Sequence, residues 1–482
     1  MLWLSLHLPR LALEVAARGA GEEGPLVVVE GEGGRGRVLA RNRAAARTGI
    51  RPGMSLAAAW ALAPGLLVRP RDPRAEADAR RRLAAWCLQF TPRVSLETEA
   101  AMVLLEIGGC LRIWGGLEGL LGRVRGGAAA LGYRVRIGVA PTPAAAEALA
   151  RLGTEPPVLH RRLLPARLAP LPLGCLGLPE GAVAALRGLG VRDLRGCLRL
   201  PRDGLARRIG PAAVHHLDRL LGRAPDPRAP YEPPPAYHGE IELPAETADV
   251  EALRFALRRL LGELCGLLRG RALGVREIGL ALCHREGEPT RLRVGLATPG
   301  RDPAHLEGVV RAHLHRLRLD RPVCALALGC TALEPLPERS GDLLAPPRRG
   351  DAGWPVLLDR LTARLGPGAV QVLGPAADHR PERAWRLLPP EAGPSEDDGE
   401  EARPRAPRPL WLLPRPAALP AGADRLPRGW RLRRGPERIE SGWWDGGDIA
   451  RDYYLAENGA GSRGWVFRDR RSGRWYLHGL FA

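Results

Sequence analysis

MVLLEI, residues 102–107, runs directly into GGCLRIWGG, residues 108–116. A short apolar run closed by paired glycines reads as a buried strand followed by a turn. Its surroundings read the same way. RVRIGVA at 134–140 is a second apolar run of strand length, and Gly116–Leu131 and Thr142–Leu152 carry apolar residues at three-to-four spacing. Upstream, Leu2–Leu8 reads as a strand ended by Pro9, and Arg10–Arg18 as a helix. Pro25–Glu30 and Arg37–Ala40 read as strands, Ala44–Gly49 and Ser55–Ala63 as short helices, and Pro73–Phe90 as a long amphipathic helix. Residues 1–160 are therefore expected to form an α/β domain.

The character then changes. Residues 165–232 hold short helical stretches punctuated by Gly and Pro, LGLPEGAVAALRGLGV at 176–191 and LPRDGLARRIGPAAVHHLDRLLGR at 200–223. Two readings fit: a helix-hairpin-helix whose turn amides bind a DNA phosphate, or a small helical linker domain. DPRAPYEPPPAY at 226–237 is a proline-rich linker. Residues 238–333 read strand, helix, strand, strand, helix, strand: His238–Leu243, Val250–Arg269, Val275–His284, Thr290–Leu296, Pro303–Leu317 and Pro322–Thr331. That order suits a small sheet with two helices on one face. Beyond 335, Gly, Pro and Arg dominate, with a short helix expected at Val356–Leu365 and an acidic stretch at Ser395–Glu401. The end is aromatic, and six of the chain's 12 Trp lie after residue 400. A small folded β-unit and a docking segment both fit it.

Composition bounds the function. The 482 residues carry a net charge of +19, and since no lysine occurs, every side-chain cation other than histidine is arginine. This excludes a Walker lysine, a Schiff-base lysine and a lysine general base. A basic chain of this kind most often meets nucleic acid. No apolar run reaches the length of a membrane span, and MLWLSLHLPR is too short and lacks the basic flank of a signal peptide. The eight cysteines are scattered without a CxxC pair, which argues against a zinc ribbon and suits a reducing cytoplasm.

Three stretches of the first 160 residues resemble the Y-family (translesion) DNA polymerases. VLARNRAAARTGIRPGMSLAAAWALAP at 38–64 looks like the family's fingers, LLEIGGCLRIWGG at 104–116 like its palm strand and turn, and VRIGVAPTPAAAEALAR at 135–151 like the following strand and helix. The tail narrows the resemblance. ADHRPERAW at 377–385, GPERIESGWWDGGDIARDYY at 435–454 and WYLHGLFA at 475–482 look like the ImuB group, Y-family homologues that act as non-catalytic subunits of a bacterial mutagenic repair complex. The resemblance covers essentially the whole chain. It implies a multidomain α/β fold: palm with inserted fingers over 1–165 (fingers about 10–72), helix-hairpin-helix thumb over 166–232, and little finger over 233–334. A linker over 335–409 and an aromatic-rich partner-docking segment over 410–482 would complete it.

Phosphoryl transfer in this family needs carboxylates holding two metal ions and cationic or hydroxyl groups holding a triphosphate. Ser5 stands where relatives carry the first-strand Asp, with His7 two residues on. A gapless alignment puts Ala101 and Met102 at the Asp-Glu pair. A rival register through SLETE at 95–99 supplies Glu97 and Glu99 instead. The triphosphate-binding tyrosine and arginine fall on Arg43 and Ala46, and the phosphate-binding lysine on Glu147, whose charge repels phosphate. Arg43 and Arg47 partly compensate. The resemblance thus implies a pseudo-polymerase with no metal or cofactor, and an active polymerase using Glu97 and Glu99 is the alternative.

DNA binding does not require the metals. The candidates are Arg207, Arg208 and Gly210 on the thumb, and Arg271, Arg276, Arg285, Arg291 and Arg293 on the little finger, as a basic face for non-specific primer-template binding. ImuB-like proteins also carry a peptide for the sliding clamp. Ser340, Asp342, Leu343 and Leu344 stand at the matching place without its glutamine and aromatic, and an ordinary linker is the other reading. The resemblance implies a RecA-like accessory protein and an error-prone C-family polymerase as partners. Trp443, Trp444, Tyr453, Tyr454, Trp475, Tyr476 and Phe481 are the docking candidates, and the same residues suit the core of a β-unit. Asp445 and Asp448 read as turn residues.

Overall fold

The computed structural model describes residues 1–17, 24–31, 36–96, 101–153, 156–336, 353–366, 368–389, 407–420, 426 and 428–481. The first region runs Trp3–His7 (β1), Leu11–Ala16 (α1), Leu26–Glu30 (β2), Arg37–Arg41 (β3), Arg43–Arg47 (α2), Leu56–Leu62 (α3), Leu67–Pro70 (β4), Pro73–Cys87 (α4), Val94–Ser95 (β5), Met102–Glu106 (β6), Leu117–Ala130 (α5), Arg136–Ala140 (β7) and Pro143–Leu152 (α6). β1 lies inside a four-stranded antiparallel sheet of order β5-β6-β1-β7. Its alternation sorts the residues by face. Leu4 and Leu6 join Val103, Leu105 and Val139 in a core closed by α4 and α5. Trp3, Ser5 and His7 point the other way.

A second, three-stranded sheet of order β3-β2-β4 forms the expected fingers region, around Val27, Val29, Val38, Ile50 and Leu56. Asn42 organises it: its Oδ1 accepts from Ala45 N at 2.8 Å and from Leu26 N at 3.1 Å, capping α2 and fixing the strand beside it. β4 had no sequence signal, because LVRP is short, mostly exposed and ends in proline.

The helical region comprises Leu164–Leu168 (α7), Glu180–Gly188 (α8), Leu194–Arg199 (α9), Arg202–Ile209 (α10) and Pro211–Leu220 (α11). Its leucines share one core with the alanines of α6. The second α/β region runs Tyr237–Thr247 (β8), Val250–Gly270 (α12), Leu273–Cys283 (β9), Thr290–Gly300 (β10), Pro303–Leu314 (α13), Val323–Cys330 (β11) and Leu333–Pro335 (β12). Its sheet has the order β10-β9-β11-β8, with β12 on β9. Ile278, Leu280, Val294, Leu326 and Leu328 pack under α12 and α13. A further helix, Gly353–Leu365 (α14), docks here through Asp359, which accepts from Ala297 N at 2.7 Å and meets His305 Nε2 at 2.7 Å. The short helix expected at Val356–Leu365 is thus present within the stretch expected as linker, and it is packed.

The two α/β regions are clamped through Trp86 on α4. A Cβ on Gly127 (α5) would lie 2.3 Å from its ring, and one on Gly266 (α12) 2.2 Å, so both glycines are slots for one indole.

Residues up to Arg364 form one compact unit, and Leu365–Ala482 another. The second unit contains Val372–Pro375 (β13) and Trp385–Leu388 (β14) as a hairpin. Trp411–Ala418 (β15), Trp430–Ser441 (β16), Ile449–Asn458 (β17), Arg463–Asp469 (β18) and Trp475–Leu480 (β19) make an antiparallel sheet of order β15-β19-β18-β17-β16. Tyr453, Trp465 and Phe467 form its aromatic centre, with Tyr453 stacked on Trp465 at 4.0 Å between centroids. No helix among the described residues is long and apolar enough to cross a membrane.

Candidate functional site

The face of the first sheet that carries Ser5 is closed by α6. TPAAAEALARLG is built for this. Thr142 caps the helix, Pro143 opens it, Gly153 ends it in the left-handed region, and alanines line its packed side. Approach is close at Gly138 on β7, where a Cβ would lie 2.1 Å from Ala146 O. Under this cover Ser5 has no exposed surface. It stands opposite Leu104 on β6 and Gly138 on β7. Its Oγ donates to Met102 Sδ at 3.8 Å. Met102 and Leu104 are themselves fully buried, and Ala101 is half-buried just before β6. His7 pairs with Met102 across the ladder. Burial, then Arg151, lowers its pKa, and its Nδ1 is buried without a hydrogen-bond partner.

Every nearby described carboxylate is committed elsewhere. Glu106 accepts from Gly108 N at 3.1 Å and from Leu2 N at 3.4 Å. Glu147, on α6, is buried and meets Arg228 Nη1 at 3.2 Å and Arg151 Nη2 at 3.8 Å. Arg228 also binds Asp226 at 3.1 Å, and Asp226 Oδ2 accepts from Ala144 N at 3.0 Å. Burial pushes the Glu147 carboxyl above its usual range, and Arg228 and Arg151 pull it back. Glu147 therefore anchors the chain leaving α11 to α6. Sequence reading had treated DPRAP only as linker. Arg43 is exposed at the start of α2, and Ala46 is half-buried within it. Ser5, Ala101 and Met102 carry no carboxylate and do not fit a two-metal centre. Glu97 and Glu99 fall between β5 and β6, outside the described residues.

The arginine candidates separate. Arg207 and Arg208 are exposed at the end of α10, and Gly210, at φ +86°, turns the chain directly into α11. Arg291 and Arg293 share the outer face of β10, opposite Ala281 and Gly279. Gly279 and Ala281 lie beside Gly329 and Ala327, and Ala327 beside Glu240. The result is a track of Gly and Ala, two strands wide, between an arginine edge and a glutamate edge. Neither α12 nor α13 covers this face. The other three arginines do not join it. Arg271 donates to Pro234 O at 3.1 Å, Arg276 pairs with Glu334 at 3.1 Å, and Arg285 pairs with Glu246 at 2.7 Å. The single basic face expected from all five is thus reduced to Arg291 and Arg293, of which Arg293 also meets Glu277 on β9 at 3.9 Å. Ser340, Asp342, Leu343 and Leu344 lie outside the described residues.

The aromatic candidates also divide. Tyr453 is fully buried and Trp475 nearly so, which assigns both to the core and corrects their reading as docking residues. Tyr454, Tyr476 and Phe481 are half-buried against the same cores. Trp443 and Trp444 are 78% and 60% exposed and meet edge to face at 5.6 Å. Their turn is held by an ion cluster. Arg380 grips Asp445 at 2.7 and 2.8 Å and Asp378 at 2.6 Å, and Arg383 adds a contact to Asp445 at 2.7 Å. These partners keep the Asp445 carboxyl well below its usual range. ADHRPERAW and WWDGGD are therefore two halves of one clasp, and Asp445 is an ion-pair residue rather than a metal ligand.

Residues 14–151 match the impB/mucB/samB family. That places the first region among the Y-family polymerase homologues. Over 471 residues, the chain is 32% identical to Protein ImuB of Caulobacter vibrioides strain NA1000, covering 90% of this chain and 100% of that one. Protein ImuB of strain ATCC 19089 matches equally. The chain belongs to the ImuB family. Among solved structures, DinB from Sulfolobus solfataricus aligns over 70% of this chain and 100% of its own, at 17% identity and a TM-score of 0.39. An insertion ternary complex of Dbh DNA polymerase aligns at 17% identity and a TM-score of 0.40, over 70% of this chain and 99% of its own.

Proposed function

We propose that this chain is a non-catalytic, Y-family-type adaptor in DNA damage tolerance. It holds primer-template DNA and brings a sliding clamp, a RecA-like accessory protein and an error-prone C-family polymerase to it in the cytoplasm. The observation that carries the reading is at Ser5 and Glu147. Where the family places metal and phosphate ligands, Ser5 is buried against Met102 and Glu147 is spent on Arg228. In this reading residues 1–165 are palm and fingers, 166–232 thumb and 233–334 little finger. Arg207, Arg208 and the Gly210 turn hold one stretch of phosphates, and Arg291 and Arg293 another. Trp443 and Trp444 are the docking residues, since exposed tryptophans on a braced turn suit an interface centre. Residues 340–344 are the candidate clamp peptide.

Primer extension by the full chain tests it, with four nucleotides and magnesium, then manganese. The expected result is no incorporation, with binding to the same primer-template that falls steeply with salt. Incorporation that disappears in Glu97→Gln or Glu99→Gln overturns the reading and makes the protein a polymerase. In cells, Ser5→Ala should leave damage-induced mutagenesis intact, and deletion of 335–482 should abolish it.

A further inference from the structure

A cleft of about 740 Å³ opens at the Trp3 end of β1. Its walls are the end of the first sheet, the start of α6 and the chain leaving α11. Ser5, Arg43, Ala46 and Glu147 are not among its lining residues. Three guanidinium groups border it: Arg93 before β5, Arg161 before α7 and Arg223 after α11. All three are exposed, and their side chains have no hydrogen bond or ion pair among the described residues. Arg228 on the same cleft shows the contrast, being satisfied by Glu147 and Asp226. Asp226 is the one carboxylate on the lining among the described residues, and it is spent on Arg228 and Ala144 N. The Thr142 hydroxyl is also spent, donating to Leu220 O at 3.2 Å. Among the described residues the cleft thus gathers three cations with no free carboxylate to balance them.

One wall is aromatic and the rest is stiff. Trp3 is half-buried, packed beside the leucine core of the helical region. Pro141, Pro143, Pro225, Pro227 and Pro230 supply most of the remaining apolar lining, and their fixed φ leaves little to order on binding. The volume is that of a small-molecule site. An indole offers a face to a planar ring, and guanidinium forks match phosphate oxygens in pairs.

We propose that this cleft binds a nucleotide, with its base against Trp3 and its phosphates on Arg93, Arg161 and Arg223. The nucleotide is either free or the phosphorylated end of a strand, since both present the same groups. The site needs no divalent metal, because its anion partners are guanidiniums. It is independent of the adaptor reading: a chain that never polymerises can still hold a nucleotide here.

Calorimetry on the full chain in EDTA tests it with dATP and inorganic triphosphate, where no metal-bridged site contributes. Both should bind, and Arg161→Ala combined with Arg223→Ala should weaken both by about ten-fold or more. Trp3→Leu should weaken dATP but not triphosphate, and Trp3→Phe should restore dATP if a ring is what is needed. Arg43→Ala, on the expected fingers, should change nothing. A 5′-phosphorylated oligonucleotide that displaces dATP better than its unphosphorylated twin identifies a strand end as the source, and failure to displace identifies free nucleotide. No binding in EDTA overturns the proposal. So does binding that survives the double arginine variant, or an unphosphorylated strand that competes equally well.

Discussion

Two sheets of the first unit, β5-β6-β1-β7 and β10-β9-β11-β8, start alike and end differently. Each is antiparallel and packs one face under two helices, α4 and α5 in one case and α12 and α13 in the other. The first sheet then has its second face sealed by α6, with Ser5 and Met102 in contact beneath it. The β10-β9-β11-β8 sheet leaves that face open, paved with Gly279, Ala281, Ala327 and Gly329 and edged by Arg291 and Arg293. Catalysis by metal ions needs charge held inside a closed pocket, whereas phosphate binding needs only charge and close approach at an open surface. A chain can therefore lose the first ability and keep the second. In the proposed reading the buried interior of α6 would stabilise such a loss, because Glu147 is tied to Arg228 and Arg151.

The most direct attempt to break this contrast is to restore the missing acid. Ser5→Asp places a carboxylate at a position with no exposed surface beside Met102 and Leu104. The expected cost is about 3 kcal/mol or more, read from the urea midpoint of the first unit, with no primer extension gained. Wild-type stability together with magnesium-dependent stabilisation of the variant would show that a metal pocket survives under α6. The next largest effect is at Arg228. Arg228→Ala leaves Glu147 buried without its 3.2 Å partner, at a cost of about 3 kcal/mol. Adding Glu147→Gln should recover most of that. If the two substitutions simply add, the network is not what holds the linker to α6.

The pair also shows what the sequence makes legible. All six elements expected between 238 and 331 are present, because each is long and carries one clear period. β5 was invisible, since Val94–Ser95 is only two residues long. The serine at position 5 was legible, because a residue in a short strand is a local fact. The network around Glu147 was not. Glu147 and Arg228 lie 81 residues apart, and nothing in DPRAP marks its arginine as the partner. The tail has the same limit. An aromatic-rich end signals a folded or docking unit, but Tyr453 in the core and Trp443 on the surface are equally aromatic. Only the register of β17 against β18, which sets Tyr453 opposite Phe467, separates them.

The C-terminal sheet sharpens the comparison from a third side, because it buries a titratable group within its aromatic centre. His478 has no exposed surface, and its Nδ1 shares a hydrogen bond with the Tyr453 hydroxyl at 2.8 Å. Burial pushes its pKa below the ordinary 6.5, with Glu382 opposing. The folded state thus binds a proton less readily than the unfolded one. Its stability should be complete above pH 6.5 and fall as the pH drops below it, by at most about 1.4 kcal/mol per unit. Near-ultraviolet circular dichroism of the full chain should show the aromatic signal melting earlier at pH 5 than at pH 7.5. His478→Gln should flatten that dependence. An unchanged pH profile in the variant would place the acid sensitivity elsewhere.

The smallest expected effect decides whether the open face does what its exposure allows. Arg291 and Arg293 each offer one phosphate contact, so losing both should weaken primer-template binding by about 1–2 kcal/mol, roughly five- to thirty-fold, at moderate salt. The more telling quantity is the salt slope. Each lost contact should lower the slope of log affinity against log salt by about one, alike for all sequences. Arg276→Ala and Arg285→Ala provide the internal control, because these arginines pair closely with Glu334 at 3.1 Å and Glu246 at 2.7 Å, whereas Arg293 meets Glu277 only at 3.9 Å. They should leave the slope nearly unchanged. If all four substitutions reduce it equally, DNA binding reads net charge alone, and the open sheet face has no special part in it. If only the β10 pair does, that face is where the phosphates lie.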